Sequence, residues 1–336
     1  MNLRNRAFGY LQLFRLQTAV ATALTPVIGG LVMGQHDLFF LFILFIIGFL
    51  YHVYGFVLNE YIDIEVDKKS IDLKKKPLIS GIIPKKHALF ITIISGFFAC
   101  FLTIFFFRSV FPISFLVFAL ILGGIYDIFG KKIPSLDLVL GLGFFFICLM
   151  GASTISGNFT MLIYLVCFIY FIHISFNNSV EGGLKDVDHD YLAGAKTLAT
   201  IMGVYVQNTR LKVTKKFAAF SYFLKIIFII LIVLLCIQPE INLFNYEKNM
   251  IQIILIAFFS VVVFFTMYKF LSLSTFDRSK LKKLYSVHEM SSFFVLILSL
   301  SPLIGLWPTI ILVFFPFIWY ILFNFILYGK FLQPQV

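Results

Sequence analysis

The chain is 336 residues long, 60% hydrophobic and 13% charged, with a mean hydropathy of +0.99 and a formal net charge of +11. A composition this apolar excludes a soluble globule, and apolar runs recurring at the ~20-residue length of a bilayer crossing predict an all-α, polytopic transmembrane helical bundle. The basic excess suits anionic lipid headgroups and a phosphorylated substrate, and nothing in it calls for nucleic acid.

In chain order, spans are predicted at 15–34, 38–58, 87–107, 110–129, 137–156, 159–180, 217–237, 250–271, 290–306 and 308–328. The first lacks a cleavable signal pattern and continues into the bundle. The last, Pro308 to Tyr328, is long enough to cross but leaves only Leu306, Trp307 and Pro308 for the outside turn, so the bundle has nine or ten spans. No linker or low-complexity tract interrupts the chain, and residues 1–336 read as a single transmembrane domain. An acidic helix end follows both the second and the sixth span, which suggests a diverged internal repeat of about 11–135 and 136–290.

Charge orients the bundle. With the N-terminus inside, only Arg108 and Lys248 of the 27 basic residues fall outside, and Lys225 lies within a span. The positive-inside rule then puts both acidic clusters on the cytoplasmic side of an integral protein expected in a prokaryotic cell membrane. Lys225 is expected to snorkel toward that side. Cys100, Cys148, Cys167 and Cys236 all fall inside spans without paired spacing and read as small core hydrophobes.

The chemistry gathers at two helix ends. Asn59, Asp63 and Asp67 are spaced by four where the second span ends, on one helical face with His52 and Gly55. Asp186 and Asp190 repeat that spacing after the sixth span, beyond a polar strip of Ser175, Ser179 and Gly182. Together with Glu60, Glu65, Asp72, Glu181 and Asp188 they make nine of the 16 acidic residues in the chain, too many for ordinary surface decoration. Crowded carboxylates repel one another, and a hard divalent cation removes the conflict. Magnesium takes oxygen ligands, keeps several waters, and bridges one or two carboxylates to substrate phosphate oxygens. Asp63, Asp67, Asp186 and Asp190 are therefore the candidate metal ligands and the catalytic set. A solvated loop of mixed charge would explain one such cluster; two of them, at equivalent helix ends on one side, fit a clamp for metal and diphosphate. The basic run Lys74, Lys75 and Lys76, followed by Pro77 and a turn at Ser80 and Gly81, can fold back over the acids so that Lys76 neutralises diphosphate oxygens.

Asn59-x3-Asp63-x3-Asp67, KKPLISG from Lys75 to Gly81, and KDVDHDYLAGAKTL from Lys185 to Leu198 resemble the UbiA superfamily of intramembrane prenyltransferases. The likeness runs from the FRLQTA segment at Phe14 into the region after Leu198. It implies a bundle around a central cavity open sideways to lipid, with cytoplasmic cap helices carrying the motifs. It also implies transfer of a polyprenyl group from a polyprenyl diphosphate donor to a lipophilic or aromatic acceptor, with Mg2+ between the two aspartate motifs. On this resemblance Asn59, Asp63 and Asp67 form the first metal and diphosphate set, Asp186 and Asp190 form the second, and Lys76 fills a basic position where arginine is commoner. Arg15, Tyr126, Lys131 and Asp137 match positions lining the diphosphate or the reacting carbon. Glu60 in place of the usual aspartate, Asp72 in place of a basic residue, and Gly183 in place of an acidic or amide residue depart from the pattern. Those departures bear on the acceptor class and leave the diphosphate site intact.

The mechanism follows from the chemistry. An allylic diphosphate leaves as an anion whose growing charge magnesium and lysine stabilise in a water-poor cavity. With 45 Phe and 15 Tyr the bundle can offer aromatic walls to the allylic cation, although most of those rings must simply pack or face lipid. His52 reads as a packing histidine that could reach the acceptor, and His173 and His189 as structural or solvent-facing. Two rival readings of the acids remain: a magnesium-dependent transferase of alcohol phosphates, whose Asp-Gly and Ala-Arg pattern is missing, and a cation-coupled secondary transporter, whose carboxylates usually sit near the membrane midplane. A glycerol phosphate ether, a quinone-precursor ring, a tetrapyrrole and a sugar phosphate are all compatible acceptors.

Overall fold

The computed structural model describes residues 3–68 and 73–331; Lys69, Asp72 and Val336 lie outside the described residues. In chain order the helices are α1 (Leu3–Leu13), α2 (Leu16–Val32), α3 (Leu38–Ile62), the single turn α4 (Ile64–Asp67), α5 (Lys85–Phe106), α6 (Val110–Phe129), α7 (Asp137–Ser153) and α8 (Met161–Phe176). A π-helical segment, Asn177–Gly182, joins α8 to α9 (Gly183–Ala193), followed by the short α10 (Leu198–Ile201). A small antiparallel hairpin, β1 (Tyr205–Gln207) and β2 (Arg210–Lys212), then precedes α11 (Lys215–Cys236), α12 (Tyr246–Leu271), α13 (Arg278–Ile304) and α14 (Leu306–Tyr328).

Among the described residues, eight helical stretches are long and apolar enough to cross a membrane, and α2 and α7 are shorter apolar helices of 17 residues each. These ten match the ten predicted spans, and the protein is an integral membrane protein. Their starts are written locally. The Asp37 carboxylate accepts the Phe39 amide at 2.8 Å to open α3, Thr214 caps α11, and Asp277 accepts the Lys280 amide at 3.0 Å to open α13. The turn between α13 and α14 is Gly305 alone, at φ +85°, a conformation that glycine adopts without strain.

Small residues set how closely the central helices pack. A Cβ placed on Gly151 of α7 would meet the Pro26 carbonyl oxygen of α2 at 1.9 Å, and one on Gly29 would meet the Cys148 oxygen at 2.1 Å. Backbones that close need glycine on both sides, as is common where helices associate in lipid. The last helix returns to the first span, since Trp319 donates its indole N–H to the Leu16 carbonyl at 2.7 Å. On the outside, Phe97, Phe101 and Phe105 of α5 form a stacked, exposed file of the kind that faces lipid.

Three features differ from the sequence reading. Lys225 does not snorkel: it is fully buried, with Nζ 4.0 Å from the Phe176 ring centre, 4.9 Å from that of Phe228 and 3.4 Å from Ser292 Oγ. Because α11 packs on α8 and α13, this face of the helix meets protein, and Glu181 and Glu289 supply its nearby negative charge. The helix predicted from 290 begins twelve residues earlier, at Arg278, where one face of its polar first turns, Leu281, Lys282, Tyr285 and His288, packs inward and hydropathy cannot register it. The helix α1 and the β1–β2 hairpin, with Val206 opposite Leu211, were not foreseen. The cysteines are as expected, with Cys148, Cys167 and Cys236 buried and Cys100 half-buried.

Candidate active site

The first motif bends as it leaves the bundle. Helix α3 stops at Ile62 and Asp63 caps it, yet the Asp63 amide still reaches the Asn59 carbonyl and the Asp67 amide the Asp63 carbonyl, each at 2.9 Å. The spacing of four thus survives the break, and Asn59, Asp63 and Asp67 all line one cavity. Arg15 arrives from the α1–α2 junction, where its backbone takes a left-handed conformation at φ +45°. Such a conformation is costly for arginine and is held here by what the side chain does. The guanidinium donates to Glu60 and stacks 5.0 Å from the Phe56 ring centre. Lys76 folds back as the basic run predicts. It is buried, and its Nζ donates to Glu60 at 2.8 Å and to Asp67 at 2.7 Å. Lys85 instead meets the exposed Glu65 at 3.3 Å, away from the cavity.

The second motif lies on α9. Arg278 at the start of α13 donates to the Lys185 carbonyl at 3.1 Å and to Asp188 at 2.6 Å, which pins the helix and uses Asp188 for that purpose. Asp186 and Asp190 line the cavity opposite Asp63 and Asp67. Between the motifs stands Lys131, from the turn after α6. Its Nζ is 3.2 Å from Asp63, 3.4 Å from Asp190 and 3.8 Å from Asp67. The Lys131 carbonyl accepts the Lys196 amide at 2.9 Å, which ties this turn to the tail of the second motif. His189, expected to be structural or solvent-facing, is buried with Nε2 4.0 Å from each of Asp67, Asp186 and Asp190.

Tyr126 and Asp137 also line the cavity, and the Tyr126 hydroxyl donates to Asn178 Oδ1 at 3.4 Å. All ten sequence-selected residues therefore converge on one space of about 380 Å³. His52 is a satisfied packing residue at its wall, bonded to Thr22 at 3.1 Å and to the Phe14 carbonyl at 3.0 Å. The sequence reading missed several lining residues. Asp127 is buried within hydrogen-bonding reach of Asn59; its spacing of four from Lys131 was an available signal. Tyr285, Ser286 and Glu289 of α13 and Tyr320 of α14 line the inner wall, and no motif marks them.

Electrostatics follow from this crowding. Burial pushes the Asp63 carboxyl up to about 6; Lys131 pulls against that shift and Asp67 adds to it. Burial would lower the Lys131 ammonium, but Asp63, Asp190 and Asp67 outweigh burial and hold it above its ordinary value. One point in the cavity thus already carries a positive charge shared by carboxylates of both motifs. The donors there are carboxylate oxygens, suited to a hard cation, and among the described residues no group of three or more ligating side chains encloses an ion by itself. This set fits a cation that takes its remaining ligands from water and substrate phosphate, as magnesium does.

The model of the UbiA prenyltransferase family matches residues 23–287. Among solved structures, one described as digeranylgeranylglyceryl phosphate synthase is 20% identical, with 90% of this chain and 99% of that chain covered and a TM-score of 0.61. A UbiA homologue from Archaeoglobus fulgidus bound to GPP and Mg2+ is 16% identical, covering 88% and 99% at a TM-score of 0.62. The apo structure of a UbiA homologue from Aeropyrum pernix K1 is 14% identical, covering 88% and 97% at 0.61. At these identities the structures show a shared fold. No protein of curated function matches the chain.

Proposed function

The chain belongs to the UbiA prenyltransferase family, and on that premise we propose that it moves a prenyl group from its diphosphate to an acceptor within the membrane, in a Mg2+-dependent reaction. The observation that carries this reading is the meeting of Asp63, Asp67 and Asp190 around Lys131 at the mouth of a membrane-embedded cavity. Asp63 and Asp67 from one motif and Asp186 and Asp190 from the other would hold the metal. Binding of GPP with Mg2+ by the Archaeoglobus homologue supports the same pairing here.

When bound, magnesium draws off negative charge as the allylic C–O bond breaks and lowers the barrier to ionisation. Lys131 and Lys76 would turn their charge to the diphosphate oxygens. Arg15, held by Glu60, fixes the height of Lys76 at the mouth. Tyr51, Tyr54, Tyr126 and Phe144 line the cavity and would supply aromatic walls to the allylic cation. The surrounding apolar helices keep water from trapping it. The distribution of basic residues supports a cytoplasmic mouth.

The test is thermal melting of the purified protein with magnesium, with a prenyl diphosphate, and with both, followed by product analysis with labelled geranylgeranyl diphosphate and a panel of acceptors. Both ligands together should raise the melting temperature well beyond either alone, because only the pair completes the site. A cation-coupled transporter would respond to the cation alone, and that result would sink the reading.

A further inference from the structure

The inner wall of the cavity carries a second polar set that the diphosphate chemistry leaves unused. Along α13, Lys282, then Tyr285 with Ser286, then Glu289 occupy successive turns leading away from the level of Asp186, and all line the cavity. Glu181 of the π-helical segment faces Glu289, and Tyr320 closes the set through a 2.8 Å hydrogen bond with Ser286. Glu181 is 2% exposed and Tyr285 6%. Among the described residues, the Tyr285 hydroxyl has no hydrogen bond, Glu181 has only the facing Glu289 carboxyl within hydrogen-bonding reach, and His288 Nε2 stands 3.9 Å from Glu181 Oε1. Buried polar groups are nearly always paired, so groups left open toward a cavity point to a ligand that completes them.

The cations of the cavity are engaged nearer its mouth. Arg15 is held by Glu60, Lys185 by Asp186 at 3.3 Å, and Lys76 and Lys131 by the motif carboxylates. Lys282 lies at that same level, within electrostatic reach of Lys185, Asp186, Arg278 and Arg15. Lys225 stands behind Glu181 and Glu289 in the protein core, within electrostatic reach of both. The inner wall therefore offers carboxylate and hydroxyl oxygens to a hydrogen-bond donor and repels an anion.

Resting on the prenyl-transfer reading above, we propose that Glu181, Glu289 and Tyr285 seat an uncharged, hydroxyl-bearing acceptor, an alcohol or a phenol, and that Glu289 receives its proton. The C1–O bond of the allylic diphosphate breaks with both electrons on the departing diphosphate, and the acceptor oxygen forms its bond to C1. The hydroxyl proton passes to the Glu289 carboxylate, the more open of the two toward the cavity. Glu181, deeper and backed by Lys225, accepts a hydrogen bond from the acceptor and positions it.

Full-length protein supplied with magnesium and inorganic diphosphate is melted against 1,4-dihydroxynaphthalene, 4-hydroxybenzoate and glyceryl phosphate. The neutral diol should raise the melting temperature; the two anions should not. In Glu289→Gln and Glu181→Gln the concentration giving half the effect should rise about ten-fold or more, and in Tyr285→Phe roughly three- to ten-fold. In turnover, Glu289→Gln should lower kcat by about ten-fold or more without changing KM for the prenyl diphosphate. The shift that magnesium and diphosphate cause without acceptor reads the donor half, and its absence from the wild type counts against the prenyl-transfer reading itself. If that shift is present, no response to the diol or an equal response to the anions overturns the acceptor assignment. If a glutamate variant fails to fold, Tyr285→Phe removes a single hydroxyl, and an unchanged half-effect concentration there overturns the proposal as well.

Discussion

Replacing Lys131 by methionine removes the cation between the two motifs while keeping most of its volume. At an effective dielectric of ~20, unit charges at the 3.2, 3.4 and 3.8 Å separations seen here attract by about 5, 5 and 4 kcal/mol. Dehydration of the lysine and of three buried carboxylates offsets most of that attraction. The lysine side chain is also 25% exposed, which weakens what is left. A net loss of about 3 kcal/mol is expected, since removing one partner leaves buried like charges facing one another. At roughly 2 °C per kcal/mol for a chain of this size, the metal-free variant should melt about 6 °C below wild type. Magnesium should then stabilise the variant more than the wild type, because the divalent ion meets unneutralised carboxylates. Transfer should nonetheless be slower, because Lys131 no longer balances diphosphate charge. The assay is thermal melting of both proteins across a magnesium series, beside initial rates. Equal melting without magnesium, or equal gains with it, would refute the placement of Lys131 as the cation that joins the motifs.

Asp63→Asn and Asp190→Asn should each slow transfer by on the order of 10²- to 10³-fold, and the double variant by far less than the product, because both carboxylates serve one ionisation; rates that multiply would contradict a shared clamp. Lys76→Ala should lower the melting temperature and weaken donor affinity together, since breaking its buried pairs with Glu60 and Asp67 costs about 3–5 kcal/mol. Lys76→Arg should preserve most of both, and Lys85→Ala, whose pair with Glu65 is exposed, should change stability by less than about 0.5 kcal/mol. For Asp63 the sign with pH is fixed by its raised value. Its contribution to metal-free stability is present below the ordinary aspartate range and is lost as pH rises through about 6. Below about 6 a proton competes with the metal, so the magnesium concentration for half-maximal rate should climb there; a flat magnesium requirement from pH 5 to 8 would show that Asp63 does not bind the metal.

What the sequence made legible has a physical pattern. Both aspartate motifs could be read because helical spacing turns a step of four into one face, and the step survives the break at Asp63 because the Asp63 amide still bonds the Asn59 carbonyl and the Asp67 amide the Asp63 carbonyl. Spans could be read because lipid demands an apolar surface, and the ten helices fall where hydropathy rises. Hydropathy reports the surface turned to lipid and is silent about helix faces turned to one another, and that is where the reading failed. Lys225 sits in a run that looks lipid-facing, yet its face packs on Phe176 and Phe228. Arg278 to Glu289 reads as loop by its polarity, yet it is helix, pinned by Arg278 to Asp188 and lining the cavity from Lys282, at the level of Asp186, inward through Tyr285, Ser286 and Glu289. The donor half of the site could be found in sequence because metal and diphosphate require repeated charges at fixed spacing. The proposed acceptor half has no such requirement: its residues come singly, from the π-helical segment, α13 and α14, and meet only once the bundle closes. On the proposed reading, diphosphate chemistry is written in local motifs, whereas acceptor chemistry is written in how the last two helices pack against the rest.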